Sequence, residues 1–289
     1  MRPVRVLSEQ QWRPLAAAHA ERARSFTADH LDRRSRGEKH PVWDFLFDYY
    51  PVKPAQLARW HPGAGTRLHG DCPHSDWRYY DTDSAGTTGV NLRELWGKRG
   101  ESFRYIRDLL TSTADNTARF DCLGLHEWAM VYRTDDPRHD LPLRLGRTGT
   151  DAVVEQHQIR CTHYDAFRFF TPSARPLNIT PLTREQQPSR EQRGCVHATM
   201  DLYKWASKLG PLVPGGLFLD CFELACAARV LDMEASPYDV RHLGFGVVPI
   251  ETAEGKRTYV TRQRELARRA APLRRALTAL VDETSRVAL

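Results

Sequence analysis

Apolar residues recur at helical spacing over long stretches of the chain, most clearly towards its C-terminal end. Residues 258–284 are rich in Arg, Ala and Leu and gather their apolar residues on one helix face, with Pro272 expected to kink the helix. Residues 8–34 follow the same period, from Ser8, which suits an N-cap, to the stop signal of Gly37. The pattern therefore predicts a long helix near each end of the chain.

Shorter patterns of the same kind lie between these two helices. Helices are predicted at residues 41–50, 91–111, 197–209 and 217–233, and a buried apolar element at residues 120–132. Gly, Pro, Asp, Ser and Thr dominate residues 61–90, which predicts a long loop. The predicted fold class is mainly α with a few short strands, with α+β as the alternative, in a single globular domain over residues 1–289.

Composition narrows the expected location of the protein. The chain has 289 residues and is 41% hydrophobic, as expected for a globular protein. No apolar run approaches the roughly 20 residues that span a bilayer, and the start lacks the apolar region of a secretion signal. We therefore expect a cytoplasmic protein without a membrane partner. The six cysteines form no CxxC pair, so we expect free thiols.

The formal net charge is +6, and much of the excess comes from Arg residues near the two ends of the chain. Clustered Arg can neutralise phosphates, which makes DNA a possible partner. Arg on solvated helix faces accounts for the same charge. Basicity therefore permits a nucleic-acid partner without establishing one, and a small-molecule substrate is the partner in the alternative described below.

Residues suited to metal or proton chemistry are concentrated between Glu155 and Lys204. His, Cys and carboxylate side chains ligate metals or move protons near neutral pH. In this stretch they are His157, Cys161, His163, Asp165, Cys195, His197 and Asp201. We interpret the stretch as the centre of the functional site.

Two spacings within this stretch suggest metal ligation. His197 and Asp201 are four positions apart, so on a helix they share one face and suit two ligands of one metal, or a carboxylate orienting an imidazole. A plain polar patch is the alternative. His157 and His163 share a face of an extended segment together with Cys161, which suits a three-ligand site for catalytic zinc or non-haem iron. The metal ligands predicted in this way are His157, His163 and His197.

Candidates for acid–base chemistry include His126 and Glu127, which sit in the otherwise apolar segment GLHEWAMVYR. A buried His–Glu step needs partners, because an unpaired buried charge is costly. Three roles are open for His126 and Glu127: general acid or base, metal ligand, or a structural pair whose charge is neutralised by Arg. The candidate catalytic residues are Glu127, Asp165, Asp201 and His126.

Aromatic side chains are dense around residues 43–50, where they could stack on a flat ligand or form a core. Asp44 and Asp48 lie one helical turn apart there and repel each other unless a cation or an Arg lies between them. The candidate substrate-binding residues are Trp43, Tyr49, Tyr50, Trp128, Tyr164, Tyr203 and Arg168.

The segment RWHPGAG resembles the glycine-rich turn with which helix-hairpin-helix DNA glycosylases grip a phosphate. That motif needs a helix on each side, and the residues that follow do not have a helical pattern. The similarity is therefore interpreted as accidental.

Several longer blocks, from about Lys39 to the C-terminus, resemble a set of bacterial, mainly actinobacterial, proteins commonly labelled 3-methyladenine DNA glycosylase. The blocks are KHPVWDFLFDYY, RWHPGAG, GLHEWAMVYR, TDAVVEQHQIRCTHYDAFRFFTP, GCVHATMDLYKWASKL, DCFELA and LDMEASPYD. The resemblance implies an N-glycosylase that removes alkylated or modified purines from DNA and needs no cofactor. The candidate site residues rest on their own chemistry.

Three hypotheses follow. A glycosylase extracts the base into an aromatic pocket and stabilises the transition state with a carboxylate. A metal-dependent enzyme using non-haem iron or zinc on a small molecule is the alternative, and the His and carboxylate inventory fits it better. A binding protein with a structural polar cluster is the third. A basic concave face wide enough for a duplex favours the glycosylase. The metal-dependent enzyme is favoured by convergence within ligand distance of one point of five residues: His126, Glu127, His157, His163 and His197.

Overall fold

The structure, a computed structural model, describes residues 4–137 and 139–288. It is 58% helix and 6% strand, which confirms the mainly α fold class. The helices are α1 (Glu9–Ser35), α2 (Phe45–Asp48), α3 (Pro54–Leu57), α4 (Leu92–Asp115), α5 (Leu125–Ala129), α6 (Gly146–Glu155), α7 (Tyr164–Phe167), α8 (Gln187–Arg190), α9 (Val196–Leu209), α10 (Gly215–Glu234) and α11 (Ala253–Ala288). The strands are β1 (Arg5–Leu7), β2 (Thr66–His69), β3 (Tyr80–Thr82) and β4 (Thr87–Val90).

The chain divides into two compact units, each assembled from separate stretches of sequence. The first unit comprises Met1–Leu110, Leu202–Glu223 and Leu273–Leu289, and the second comprises Thr111–Asp201 and Leu224–Pro272. Within the described residues, no helix combines the length and the apolar character that a membrane crossing requires.

The first unit contains a four-stranded sheet in the order β1-β2-β4-β3. β1 pairs with β2 in parallel, and β4 pairs antiparallel with both β2 and β3. The long loop predicted for residues 61–90 is therefore wrong, because three of the four strands lie in this stretch. Strands of three or four residues are too short to show an alternating pattern among turn-forming residues.

Helix α1 begins where the sequence predicts. The backbone N–H of Ser8, the N-cap residue, donates to Oε1 of Gln11 at 2.9 Å. The Gln11 side chain, in the first turn, thus accepts the hydrogen bond of a backbone N–H that the helix itself leaves unpaired. Trp12, one turn further on, is buried against Leu68 and Cys72. The hydrogen bond at Ser8 thus fixes where α1 begins, and the packing of Trp12 against Leu68 of β2 holds α1 on the sheet.

The second unit is built around α5, whose residues are all buried. The indole N–H of Trp128 donates to the carbonyl of Ala235 at 2.8 Å, which connects α5 to the residue that follows α10.

Helix α11 extends beyond the predicted residues 258–284 at both ends and continues through Pro272.

A buried carboxylate in the first unit joins α1 to the residues before α2. Oδ1 of Asp44 accepts hydrogen bonds from Arg33 at 2.7 Å and from the His30 ring at 2.8 Å, and Oδ2 accepts from the backbone N–H of His40 at 2.7 Å. Burial alone would raise the pKa of Asp44, but the hydrogen bonds from Arg33 and His30 outweigh it and hold the pKa below its ordinary value.

We predict that Asp44→Asn lowers the free energy of unfolding at pH 7 by about 1–3 kcal/mol, because it removes charged hydrogen bonds. The pKa of Asp44 in the folded state is lowered, so this contribution is present above about pH 4 and is lost as the pH falls through the folded pKa. The unfolding temperatures of wild type and variant should therefore differ at pH 7 and converge as the pH falls below about 4. A difference that is constant with pH would contradict this.

The matched control is Asp48→Asn, which changes an exposed carboxylate at the end of α2, four residues after Asp44. It should shift the free energy of unfolding by less than about 0.5 kcal/mol.

Candidate metal centre

Two groups of three buried side chains in the second unit offer metal-ligand atoms within 4.8 Å of one another, among the residues that the structure describes. The first triad is His126, His197 and Asp232. The second triad is His163, Glu191 and Asp201. Each triad gathers residues that are far apart in sequence.

The first triad is contributed by three helices. His126 lies on α5, His197 in the first turn of α9 and Asp232 in the last turn of α10. Nε2 of His126 lies 2.7 Å from Oδ1 of Asp232, and the rings of His126 and His197 meet edge to face with centroids 4.4 Å apart. The three residues are 2%, 8% and 0% exposed, so any ion held here is largely shielded from water.

A buried Arg fixes the orientation of the Asp232 carboxylate. Nη1 of Arg229 donates to Oδ2 of Asp232 at 2.8 Å and lies 3.2 Å from Oε1 of Glu127, and Nη2 lies 3.3 Å from the His139 ring. Because Oδ2 is taken by Arg229, Oδ1 is the oxygen directed at His126. Arg229 itself is completely buried.

Cys122 lies at the other edge of the His126 ring. Its Sγ is 3.6 Å from Nδ1 of His126, so His126 has a partner at both ring nitrogens. The neighbouring Cys161 thiol, and then the His126 ring, lower the pKa of Cys122. Second partners of this kind set the tautomer and the direction of a metal-ligating imidazole.

Within the first triad, His126 and Asp232 form an ion pair. Burial would lower the pKa of His126, but the charge and hydrogen bond of Asp232 outweigh it and raise the pKa. Burial would likewise raise the pKa of Asp232, and the same ion pair lowers it. Burial and the positive charge of His126 lower the pKa of His197, which is therefore neutral. A metal ion would replace the proton shared by His126 and Asp232.

The second triad surrounds one ring nitrogen. Nε2 of His163 lies 3.2 Å from Oε1 of Glu191 and 3.5 Å from Oδ2 of Asp201. His163 immediately precedes α7, and Glu191 immediately follows α8. Nε2 of Gln187 donates to Oε1 of Glu191 at 2.5 Å, which fixes that carboxylate. All three members of the triad are 1% exposed.

Helix α9 contributes to both triads. His197 and Asp201 lie one turn apart on it, so they share a face as the sequence predicts. The structure assigns them to different triads rather than to one metal. The His197 ring also stacks on the His163 ring, with centroids 5.2 Å apart and an interplanar angle of 27°.

The spacing of the facing atoms suits metal ligation. Two ligands about 2.0–2.2 Å from one metal, at angles of octahedral or tetrahedral geometry, lie roughly 2.8–3.6 Å apart. The separations of 2.7 Å in the first triad and of 3.2 and 3.5 Å in the second fall close to this range. Both triads thus present nitrogen and oxygen donors at ligand spacing.

Other candidate residues lie outside the triads. Nδ1 of His157 is 2.7 Å from the carbonyl of Val153, one turn back, so His157 is not brought together with His163. Glu127 pairs with Arg229. Asp165 is buried and lies 3.5 Å from Nε of Arg168, which is exposed and covers the ring of Phe169.

The aromatic candidates are divided between the two units. In the second unit, Trp128 is wholly buried and Tyr164 lies under the guanidinium of Arg184. In the first unit, the rings of Tyr50 and Tyr203 pack against each other with centroids 5.5 Å apart, and both residues are buried.

The remaining two aromatic candidates, Trp43 and Tyr49, also belong to the first unit and are half-buried. Tyr49 stacks on Phe45 with ring centroids 5.0 Å apart. The RWHPGAG segment of the same unit leads into β2 rather than a helix, so it does not form the helix-hairpin-helix motif.

Three residues of the centre are not among the sequence-based candidates: Glu191, Arg229 and Asp232. Arg229 and Asp232 are three positions apart in the apolar helix α10. The only feature of the sequence that points to them is a pair of opposite charges within an apolar segment. Glu191 follows a Pro-containing connection whose sequence has no regular pattern.

The sequence matches no model of a protein family, no curated protein and no solved structure. What the centre can do therefore follows from the geometry and chemistry of the two triads.

We predict that Arg229→Met lowers the free energy of unfolding by about 3–5 kcal/mol, because it leaves the buried carboxylates of Glu127 and Asp232 without this cation. Chemical denaturation followed by circular dichroism measures the change. The control is Arg241→Met, which removes an exposed partner of Asp239 and should cost less than about 1 kcal/mol. Equal effects of the two substitutions would show that the buried network stabilises the protein no more than an exposed ion pair does.

Proposed function

We propose that this protein is a metal-dependent enzyme that holds iron or zinc at the first triad and acts on a small molecule. The observation that carries the proposal is the convergence of His126, His197 and Asp232, three buried side chains with ligand atoms within 4.8 Å of one another. The proposal corresponds to the alternative hypothesis from the sequence.

The composition of the first triad supports iron or zinc. Two histidines and one carboxylate form the ligand set of many non-haem iron(II) oxygenases, in which other coordination positions stay open for substrate. Catalytic zinc likewise takes three protein ligands of these types and keeps one position for water or substrate. The set has no thiolate member, although Cys122 lies beside it.

Two residues around the first triad support the proposal, because they fix the orientation of the candidate ligands. Arg229 occupies one oxygen of Asp232, so the other is kept as a single donor. Cys122 holds the far nitrogen of His126. Outer partners of this kind commonly change metal affinity or activity by about 10–100-fold when they are removed.

A metal at this position would supply Lewis acidity, and iron would supply redox chemistry as well. The ligands are more than nine-tenths buried, which favours a substrate small enough to reach an enclosed centre. Iron would suit an oxidoreductase, and zinc would suit a hydrolase.

We predict that protein purified without a metal-affinity tag contains iron or zinc in near-stoichiometric amount. His197→Ala and Asp232→Asn should each hold about one equivalent less than wild type, because each removes one of three ligands. Elemental analysis by mass spectrometry gives the metal content, and circular dichroism confirms that each variant is folded.

The control is His157→Ala, which removes a half-buried histidine outside both triads and should leave the metal content unchanged. Wild-type protein that contains no metal, and binds none when iron(II) or zinc is added, would contradict the proposal.

The second candidate function is the N-glycosylase activity that the resemblance implies, with DNA as partner. The sequence blocks quoted above and the net charge of +6 favour it. A glycosylase would need no metal, so chelation separates the two candidates.

We predict that the protein releases no methylated purine from alkylated duplex DNA, whether metal-loaded or chelated, because the buried first triad suits a small substrate. Chromatography of the released bases measures the activity. Base release that survives chelation, and that Glu127→Gln or Asp165→Asn abolishes, would favour the glycosylase instead.

A further inference from the structure

We infer that His163, Glu191 and Asp201 hold a second divalent cation beside the first, so that the active form of the protein has a two-metal centre. This inference rests on the proposed function, because it adds a second ion to the metal at the first triad.

The geometry of the second triad carries the inference. Both carboxylates face the same nitrogen of the imidazole, at 3.2 Å for Glu191 and 3.5 Å for Asp201. One N–H can be directed along only one of these lines, whereas one cation can bind all three atoms. The ligand atoms of the triad all lie within 4.8 Å of one another, so a single ion can reach them.

The charges of the second triad agree with a divalent ion. Two carboxylates face one imidazole, and all three residues are 1% exposed. Placing two like charges together away from water is costly unless positive charge is shared between them. A divalent cation balances both carboxylates and leaves the imidazole neutral, which is the form that binds metal.

Ligand chemistry indicates which ions would bind. Carboxylates suit hard cations such as manganese and magnesium, and imidazole suits iron and zinc. A set of one imidazole and two carboxylates therefore favours manganese(II) or iron(II) more than the first triad does. Gln187 adds an outer contact that fixes Glu191, as expected around a metal-ligating carboxylate.

The two triads are adjacent because they share elements of the second unit. Asp201 follows His197 by one turn of α9, and the His197 ring stacks on the His163 ring with centroids 5.2 Å apart. The metals of two-metal enzymes lie roughly 3.5–4 Å apart. Two ions held at such a spacing by the adjacent triads would act together on one small substrate.

The experiment counts bound ions in protein that has been stripped by chelation and titrated with manganese(II) without oxygen. We expect about two equivalents in wild type and about one in Glu191→Gln, with Asp201→Asn as an independent second variant. Electron paramagnetic resonance should give the spectrum of a coupled manganese pair in wild type and of isolated manganese(II) in both variants. Both substitutions keep the side-chain shape, and circular dichroism with thermal unfolding verifies that the variants fold.

The possible results separate this inference from the proposed function. One equivalent in wild type that is unchanged in Glu191→Gln and Asp201→Asn but lost in Asp232→Asn would overturn the second ion and leave the first. One equivalent that is lost in Glu191→Gln and kept in Asp232→Asn would overturn the two-metal centre and also the proposed site. No bound manganese in wild type, with iron(II) and zinc equally without effect, would overturn both.

Discussion

The buried carboxylate of Asp232 is the charge on which the centre of the second unit depends. It is 0% exposed and lies between Nε2 of His126 and the guanidinium of Arg229. A carboxylate this deep is tolerated only when each oxygen has a partner, and removing a partner costs far more than the pair contributes. Arg229 also reaches Glu127, so one cation joins α5 to α10. The position of His126 follows from this junction.

The rest of the centre is organised by helix α9. It presents His197 to the first triad and Asp201 to the second, and the stacking of His197 on His163 brings the triads side by side. The four other members of the two triads, together with Arg229, come from segments before and after α9 in sequence. The two triads therefore exist only after the second unit has folded, so the spacing of their side chains is a property of the unit rather than of any one segment.

Much of the helical framework could be predicted from the sequence, because long helices show their period over several turns. The start of α1 at Ser8 and most of α11 are of this kind. The sheet could not be predicted, since β2, β3 and β4 have only three or four residues each. Tertiary pairing, which local patterns do not contain, determines strands this short.

The same distinction applies to the centre. His126, His163, His197 and Asp201 could be chosen because histidines and carboxylates stand out in apolar segments. Their partition into two triads could not, because it depends on contacts with Asp232 and Glu191 across long sequence separations. Asp220 and Glu223 lie on the same helix as Asp232 and are paired with Arg22 at the surface. Only folding distinguishes those acidic residues from Asp232.

The placement of His197 and Asp201 on one helix also constrains how the chain can change in evolution. A substitution alters one member of one triad and leaves the other triad intact. An inserted or deleted residue between them rotates one relative to the other by about 100° and shifts it along the axis by about 1.5 Å. Such a change would remove a member from one triad while the other kept its place. The spacing of four residues between these two positions is therefore expected to be kept in descendants of the chain, even where the residues between them are substituted.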